Sequence, residues 1–260
     1  MPVVILCGGQ GTRLREETEY RPKPMVEIGG NPILWHIMKI YGHHGLRRFV
    51  LCLGYKGAMI KQYFLRYHEF MRDFTICMKS GQPVFHNDAG HEDWEVTCAE
   101  TGLETYTGTR LHRVRGYVDS DTFMLTYGDG VGDVDLDALL AFHQRQGRIA
   151  TVTGVRPTSR YGEIEVRDGV AVEFNEKPTV KEGVVSGGFF VFQRQIFDYL
   201  SGDPKEYFEE EPLRRLAREG ELAVYLHEGS WFSMDTYRDY LHLNEMWRRG
   251  EAPWRVWRDS

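Results

Sequence analysis

A glycine-rich segment near the N-terminus has the residue types of an anion site. GGQGTRL at residues 8–14 places glycines at positions 8, 9 and 11, ahead of Arg13. Glycine lets backbone N–H groups approach an anion closely, and consecutive N–H groups form a concave nest. Arg13 adds a fixed positive charge. We predict that Gly8, Gly9, Gly11 and Arg13 bind a triphosphate; the alternative is a glycine turn beside a surface arginine.

Two familiar phosphate-binding motifs do not fit this segment. A dinucleotide fingerprint requires a third glycine at position 14, where Leu14 stands. A P-loop requires Gly-Lys-Ser/Thr, but Gly11 is followed by Thr12 and Arg13. The missing glycine disfavours an NAD-dependent oxidoreductase.

Lys23 lies between two prolines, shortly after the glycine segment. Pro24 disfavours helical backbone at Lys23, so we expect a stiff, extended segment there. A cation held in this way suits the α-phosphate of a nucleotide. The alternative is an exposed lysine in a proline turn.

Two aspartates are candidate metal ligands. Asp129 follows a predicted buried strand and has glycine on both sides, which leaves room for a metal where ligands bind in open parallel sheets. Mg²⁺ takes one or two carboxylates together with phosphate oxygens. Asp235 follows an apolar run and precedes a predicted helix. It is a candidate second ligand opposite Asp129, or simply a carboxylate at a helix N-terminus.

A fourth candidate pair is Glu176 and Lys177, after a predicted strand. Glu176 can accept hydrogen bonds from sugar hydroxyls while Lys177 meets a phosphate. The pair alone does not define a site.

The elements that must position these residues alternate between strand and helix. Residues 3–6 and 49–53 are short apolar runs typical of strands buried on both faces, and residues 33–41 carry apolar side chains at helical spacing. Asn31 is the expected cap of that helix, with Pro32 in its first turn. This alternation predicts an α/β fold: a Rossmann-like, mostly parallel mixed sheet flanked by helices.

Residues 74–100 interrupt the alternation with short alternating apolar patterns, which predict a small β-rich excursion from the main sheet. The excursion suits capping of a site or a subunit contact. No linker divides the chain, so we expect one domain over 1–260. Its nucleotide-binding part spans about 1–130, its sugar-phosphate-binding part about 131–240, and its C-terminal helix and tail 236–260.

Composition limits the function classes. The net charge of −6 argues against a nucleic-acid or anionic-membrane binder. No apolar run approaches the length of a membrane span, and the N-terminus lacks the pattern of a signal peptide. The four cysteines have no zinc-like spacing and are expected to be buried reduced thiols of a cytoplasmic protein.

Taken in order, these motifs resemble those of the sugar-phosphate nucleotidyltransferases. The family signature G-G-x-G-T-R-L followed by P-K-P stands at residues 8–14 and 22–24. The resemblance extends over nearly the whole chain. It is most specific in PKPMVEIGGNPILWHIMKIYG (22–42), TYGDGVGDVD (126–135), SGGFFVF (186–192) and the tail from Trp231 to Trp254.

The resemblance implies a role for each matched position. The residues implied to hold the nucleotide are Leu6, Gly8, Gly9, Gly11, Thr12, Arg13, Lys23, Thr105, Thr107, Arg110 and Gly128. Arg13, Lys23, Asp129 and Asp235 are the implied catalytic residues, with Asp129 and Asp235 holding Mg²⁺. The implied sugar-phosphate residues are Tyr161, Gly162, Glu176, Lys177 and Gly188.

Within the family, the chain is similar to members that use CTP and glucose 1-phosphate. The resemblance implies transfer of a cytidylyl group to give CDP-glucose and pyrophosphate, for the synthesis of dideoxy sugars of O-antigen polysaccharide. It also implies a homo-oligomer. Another nucleotide or sugar 1-phosphate is the nearest alternative, because the residues alone do not fix the base or the sugar. A non-catalytic regulatory relative is the second alternative.

Overall fold

The computed structural model describes residues 1–70, 72–86, 92–156, 163–167, 170–175 and 183–258. The strands are β1 Pro2–Leu6, β2 Glu27–Ile28, β3 Asn31–Pro32, β4 Arg48–Leu53, β5 Phe74–Cys77, β6 Gln82–Phe85, β7 Glu95–Glu100, β8 Thr122–Tyr127, β9 Gly130–Gly132, β10 Ala150–Val155, β11 Glu163–Arg167, β12 Val170–Asn175, β13 Val185–Ser186, β14 Phe190–Gln193, β15 Leu222–His227 and β16 Trp231–Ser233. The α-helices are α1 Arg15–Thr18, α2 Ile33–His43, α3 Gly57–Leu65, α4 Tyr67–Phe70, α5 Thr107–Arg113, α6 Leu136–Gln146, α7 Glu211–Arg218 and α8 Tyr237–Arg249. Short 3₁₀ turns cover Lys23–Met25, Arg115–Tyr117 and Arg194–Tyr199.

The main sheet is mixed but mostly parallel. Strands β8, β1, β4 and β7 run parallel side by side. On the other side of β8, β14 is antiparallel to both β8 and β10, and β15 pairs with β10 in parallel. The predicted fold class is confirmed: a mostly parallel mixed sheet with helices packed against it.

Both faces of the sheet are buried, which explains the unbroken apolar runs in its strands. Successive side chains of β1 alternate between two apolar cores. Val3 and Ile5 pack in the core that contains α2 and the C-terminal tail, whereas Val4 and Leu6 pack in the core that contains Leu111 of α5.

Three expectations about local structure are wrong. Asn31 does not cap α2: it belongs to β3, because a turn through Gly29 and Gly30 pairs it with Ile28. Pro32 does not lie in the first turn of α2 but takes the cap position. Lys23 does not extend the chain but begins a 3₁₀ turn, closed by bonds from the Met25 N–H to the Pro22 carbonyl and from the Val26 N–H to the Lys23 carbonyl. Proline fits the turn because its missing N–H is not needed there.

The excursion is smaller than predicted. Strands β5 and β6 form a separate two-stranded hairpin, but β7 joins the main sheet as the neighbour of β4. The cysteine expectation is also partly wrong, since Cys77 on this hairpin is exposed and Cys98 half-buried, whereas Cys7 and Cys52 are buried.

Candidate functional site

The carboxyl ends of the parallel strands β1 and β8 border an open cavity of about 500 Å³. Ligands bind at this edge in open α/β sheets. All the predicted nucleotide-binding residues, and Asp129, line the cavity: Leu6, Gly8, Gly9, Gly11, Thr12, Arg13, Lys23, Thr105, Thr107, Arg110, Gly128 and Asp129.

A short antiparallel ribbon of β9 and β16 brings the two predicted metal ligands together. Gly130 pairs with Ser233, and the Met234 N–H donates to the Asp129 carbonyl at 2.9 Å. Asp129 immediately precedes one strand and Asp235 closely follows the other, so the ribbon juxtaposes residues 106 positions apart in the chain. Asp235 does not itself cap α8, because Thr236 and Asp239 form the capping box there.

Lys23 lies between these two carboxylates. Its Nζ is 2.5 Å from Asp129 Oδ2 and 2.6 Å from Asp235 Oδ1, and only 10% of its side chain is exposed. Burial by itself would lower the pKa of Lys23. The negative charge and hydrogen bond of Asp129, reinforced by those of Asp235, outweigh burial, so the pKa of Lys23 is raised above its usual value. The lysine is therefore a buried, charged ammonium at the centre of the site, not an exposed turn residue.

Arg13 approaches the same point from the solvent side. Its Nη2 lies 3.1 Å from Asp235 Oδ1, while 70% of its side chain is exposed. An exposed guanidinium can turn toward an incoming anion at little cost, because a surface ion pair contributes little free energy.

Arg110 lies beneath the glycine segment and supports it. Its side chain is buried, and its guanidinium donates to the carbonyls of Leu53 and Gly8 at 3.0 and 3.1 Å and to Thr101 Oγ1 at 2.9 Å. A Cβ at position 8 would lie 1.9 Å from Arg110 Nη1, so this close approach requires glycine. Burial lowers the pKa of Arg110. A guanidinium is nevertheless charged at any working pH, so the loop has a fixed cation below it.

The hydroxyl groups of Thr105 and Thr107, two of the three predicted threonines, are already hydrogen-bonded within the protein. Thr105 Oγ1 donates to the Thr101 carbonyl at 2.6 Å. Thr107 Oγ1 donates to Glu209 Oε2, and the other oxygen of that carboxylate accepts from the Tyr127 hydroxyl at 2.8 Å. Glu209 thus connects α5 to the end of β8, a link that no sequence motif indicates.

Sequence reasoning missed an aromatic wall of the cavity. The rings of Tyr106 and Tyr207 stack with centroids 4.3 Å apart, and both residues line the cavity together with Leu103 and Glu104. Tyr207 is held there because the Tyr106 N–H donates to the Pro204 carbonyl at 2.9 Å. Tyr207 lies 100 residues after Thr107 in the chain, and no motif around it indicates that it lines the cavity.

The donor set at Asp129 and Asp235 fits a divalent metal ion. Both are carboxylates, which Mg²⁺ takes together with phosphate oxygens, and one oxygen of each already points to a single cation, the Lys23 ammonium. Among the described residues, a second group lies apart from the cavity: His44, Asp135 and Asp137, with potential ligand atoms within 4.8 Å of one another. There Asp135 caps α6 and Asp137 pairs with His44, so structural roles account for both carboxylates.

On the sugar side, Gly188 lies at the same edge of the sheet, just before β14. It has φ 75°, and a Cβ there would lie 3.1 Å from Tyr127 Cδ2. Tyr161, Gly162, Glu176 and Lys177 lie outside the described residues.

The fold and the cavity define a protein of the α/β class with an open cavity, lined by glycines and by cationic side chains, at the carboxyl ends of its strands. The chain belongs to the Nucleotidyl transferase family, whose model matches residues 2–250. Members of this family generally use a divalent metal ion.

Individual relatives share almost their whole length with this chain. It is 47% identical over 257 residues to the probable glucose-1-phosphate cytidylyltransferase of Bacillus subtilis (strain 168). The match covers 99% of this chain and 100% of that protein. It is 46% identical over 258 residues, with the same coverage, to the glucose-1-phosphate cytidylyltransferase of Salmonella typhimurium.

Solved structures share the fold. A putative glucose-1-phosphate thymidylyltransferase from Bacillus anthracis superposes with a TM-score of 0.70 at 16% identity, over 100% of this chain and 98% of that one. Within the described residues, no helix is both long enough and apolar enough to span a membrane.

Proposed function

We propose that this protein transfers a cytidylyl group from CTP to α-D-glucose 1-phosphate, giving CDP-glucose and pyrophosphate. The two cytidylyltransferase relatives, each matched over its full length, support this choice of base and sugar. The observation that carries the proposal is the placement of Lys23 between Asp129 and Asp235, beside a glycine segment that lines an open cavity.

In this proposal the glycine segment binds the triphosphate through its backbone N–H groups, with Thr12 and Arg13 beside it. Lys23 binds the α-phosphate, and Arg110 holds the loop from below through the Gly8 carbonyl. Leu6, Gly128, Thr105 and Thr107 form the walls around the nucleoside, and the Tyr106–Tyr207 pair adds an apolar face to it.

Asp129 and Asp235 would hold Mg²⁺. The bound ion would supply charge neutralisation on the phosphate oxygens of CTP. When a nucleotide enters, Lys23 can exchange one carboxylate partner for the α-phosphate and keep its positive charge paired throughout.

The sugar phosphate would lie on the β14 side of the site. Glu176 would accept hydrogen bonds from sugar hydroxyls, Lys177 would meet the phosphate, and Tyr161, Gly162 and Gly188 would complete the pocket. Gly188 supports this placement because it lies beside Tyr127, at the end of the strand that leads to Asp129.

The reaction needs alignment and charge neutralisation more than proton transfer. A phosphate oxygen of glucose 1-phosphate attacks the α-phosphorus and forms a new P–O bond. The bond from that phosphorus to the oxygen bridging the α- and β-phosphates breaks, and its electron pair leaves on pyrophosphate. Two unit charges about 4 Å apart interact by about 4 kcal/mol at an effective dielectric constant near 20. Arg13, Lys23 and Lys177 offset repulsion of this size between the two anionic substrates.

The test is pyrophosphate release from purified protein with Mg²⁺, glucose 1-phosphate and each nucleoside triphosphate in turn. Release with CTP alone, together with CDP-glucose identified by mass spectrometry, is expected. Lys23→Met should abolish release. Lys61→Met is the matched control, because Lys61 also pairs with a carboxylate, that of Glu100, but does not line the cavity. This variant should keep wild-type rates.

The other outcomes separate the alternatives. Release with a different triphosphate or sugar phosphate would keep the reaction type and reject the cytidylyl assignment. No release with any pair of substrates would favour a non-catalytic regulatory relative.

We further propose that the protein is one domain that works in the cytoplasm as a homo-oligomer and supplies CDP-glucose for dideoxy sugars of O-antigen polysaccharide. Exposed apolar side chains on and beside the β5–β6 hairpin support contact with a second copy: Phe74, Ile76, Met78 and Val84 are 42–85% exposed. Light scattering should give the wild-type protein a molecular mass larger than that of one chain. The variant Ile76→Lys should have a lower mass, because a charge is placed in the proposed contact.

A further inference from the structure

A backbone irregularity divides two strands at the edge of the sheet that holds the site. Residues 187–189, here called the bulge, separate β13 from β14, although both strands pair with β10. Phe190 pairs with Leu125, which places the bulge beside the last residues of β8. That strand ends at Tyr127, two residues before Asp129. The bulge is therefore next to the ribbon that carries the two aspartates.

The bulge contains an unfavourable backbone conformation. Gly188 and Phe189 both have positive φ, at 75° and 48°. Glycine adopts this region freely, but a residue with a bulky side chain does so only when its surroundings hold it there. Phe189 is fully buried, with its ring stacked on Tyr41 at 5.9 Å. Such conformations cluster at functional sites, so the contacts that hold the bulge point to a role for it.

Thr153 of β10 holds one side of the bulge. Its backbone N–H donates to the Gly188 carbonyl at 3.3 Å, and its carbonyl accepts from the Gly187 N–H at 2.8 Å. Its hydroxyl donates to the Phe189 carbonyl at 2.9 Å. One buried residue thus bonds to all three positions of the bulge.

Trp231 holds the other side. Its indole Nε1–H donates to the Gly187 carbonyl at 2.7 Å. Trp231 also begins β16, where it pairs with Gly132, and its Nε1 would lie 3.7 Å from a Cβ built on Gly130. A single side chain therefore connects the bulge to both strands of the ribbon that carries Asp129 and Asp235.

We propose that Trp231 is a positioning residue for glucose 1-phosphate, which acts by holding the bulge, and with it Gly188, at a fixed distance from the two aspartates. The inference rests on the proposed function. Trp231 itself touches neither substrate. Its hydrogen bond fixes the wall against which the sugar phosphate is placed, and the nucleotide lies on the β1 side, away from it.

The test compares Trp231→Phe with Trp35→Phe. The first change keeps an aromatic ring and removes the bond to Gly187. The second removes a similar indole bond, from Trp35 Nε1 to the Tyr67 hydroxyl at 3.2 Å, which does not involve the bulge. Each variant is assayed for kcat/KM with glucose 1-phosphate at saturating CTP, for kcat/KM with CTP at saturating glucose 1-phosphate, and for its melting temperature.

Trp231→Phe should lower kcat/KM for glucose 1-phosphate roughly fivefold, as expected for loss of one neutral hydrogen bond. Its kcat/KM for CTP should change by less than about twofold, as should both values for Trp35→Phe. An equal loss for both substrates, or a Trp231→Phe variant that behaves like Trp35→Phe, overturns the proposal.

Thr153 supplies an independent check if Trp231→Phe folds poorly. Thr153→Val removes the hydroxyl bond to Phe189 and should reproduce the selective loss of kcat/KM for glucose 1-phosphate. Thr153→Ser keeps the hydroxyl and should have the wild-type kcat/KM for this substrate. A Thr153→Val variant without that loss counts against the proposal. Failure of the proposed function is distinguishable, because the wild-type protein would then form no CDP-glucose at all.

Discussion

His36 makes the stability of this protein depend on pH in a way that can be calculated from its surroundings. It is fully buried in α2, among the rings of Trp35, Trp247, Trp254 and Trp257, here called the aromatic cluster. Its Nε2 lies 2.8 Å from the Ile28 carbonyl and donates to it, so its Nδ1 accepts from Trp254 Nε1 at 3.4 Å. Burial lowers the pKa of His36 to about 4, although hydrogen bonds to the backbone of Ile28 and Asn31 oppose the shift.

The direction in which stability changes with pH follows from where His36 binds its proton more readily, in the folded or the unfolded chain. A histidine whose folded pKa lies below its unfolded value of 6.5 binds more protons when the chain is unfolded. Stability is therefore fully present above pH 6.5, falls as the pH drops from 6.5 toward 4, and levels off below that. At about 1.4 kcal/mol per pKa unit, the loss from His36 is about 2 kcal/mol between pH 7.5 and 5 and about 3 kcal/mol in all. Burial also lowers the pKa of His143, which adds to the loss in the same direction.

The assay is urea unfolding at pH 7.5 and pH 5.0 at one protein concentration, for the wild type and His36→Gln. Glutamine offers one donor and one acceptor but does not titrate. His36→Gln should be less stable than the wild type at pH 7.5, because ring packing is lost, and the gap should narrow by about 2 kcal/mol at pH 5.0. His86→Gln, on the hairpin outside the aromatic cluster, is the matched control for loss of a histidine. If the gap between wild type and His36→Gln is the same at both pH values, the buried neutral state of His36 is refuted.

Two further predictions concern the site itself. Asp129→Asn should lower kcat at least about a hundredfold with an unchanged circular dichroism spectrum, because it removes a charge from the centre of the site but leaves Lys23 paired with Asp235; wild-type turnover would remove Asp129 from the catalytic set. Gly8→Ala should destabilise the protein by about 1–3 kcal/mol in urea unfolding, because the new Cβ would displace the Arg110 guanidinium. The same change should weaken CTP binding measured by calorimetry. Unchanged CTP affinity would show that the support of the loop by Arg110 is not needed for nucleotide binding.

Much of the fold could be predicted because its signals are local. The unbroken apolar runs of β1 and β4 are typical of strands buried on both faces, and both strands lie in the centre of the sheet. The errors arise where pairing between strands decides the structure. Asn31 has the chemistry of a helix cap, but pairing with Ile28 places it in a strand. The alternation around β7 suggested an excursion, because the sequence does not reveal that this strand pairs with β4.

The site divides in the same way. Gly8, Lys23 and Asp129 belong to short motifs, so each could be assigned from its own neighbours. Tyr207 lines the cavity, and Glu209 bonds to Thr107 at its wall, only because residues 203–209 fold against the start of α5. No local pattern in the sequence indicates that contact. The strained Phe189 was equally hidden, since SGGF resembles an ordinary glycine turn until β10 and β16 are packed on either side of it.

The arrangement of charges at the centre of the site determines how its variants must be interpreted. Arg13 and Lys23 are the cations and Asp129 and Asp235 the carboxylates, so the group balances in the free protein. Lys23→Met leaves two close carboxylates without their buried partner, and loss of one member of such a pair costs about 3–5 kcal/mol. Lost activity in that variant would therefore mix a catalytic effect with a weakened fold.

The double variant Lys23→Met/Asp129→Asn separates the two effects. Removing one charge of each sign should recover much of the stability lost in Lys23→Met, because the remaining Asp235 still faces Arg13. Activity should not return, because the cation for the α-phosphate is still missing. In the double variant, compared with Lys23→Met, the melting temperature should therefore rise while turnover stays absent; both quantities are measured side by side on the two single variants and the double variant. If stability stays as low as in Lys23→Met, the carboxylates are not what makes that variant unstable.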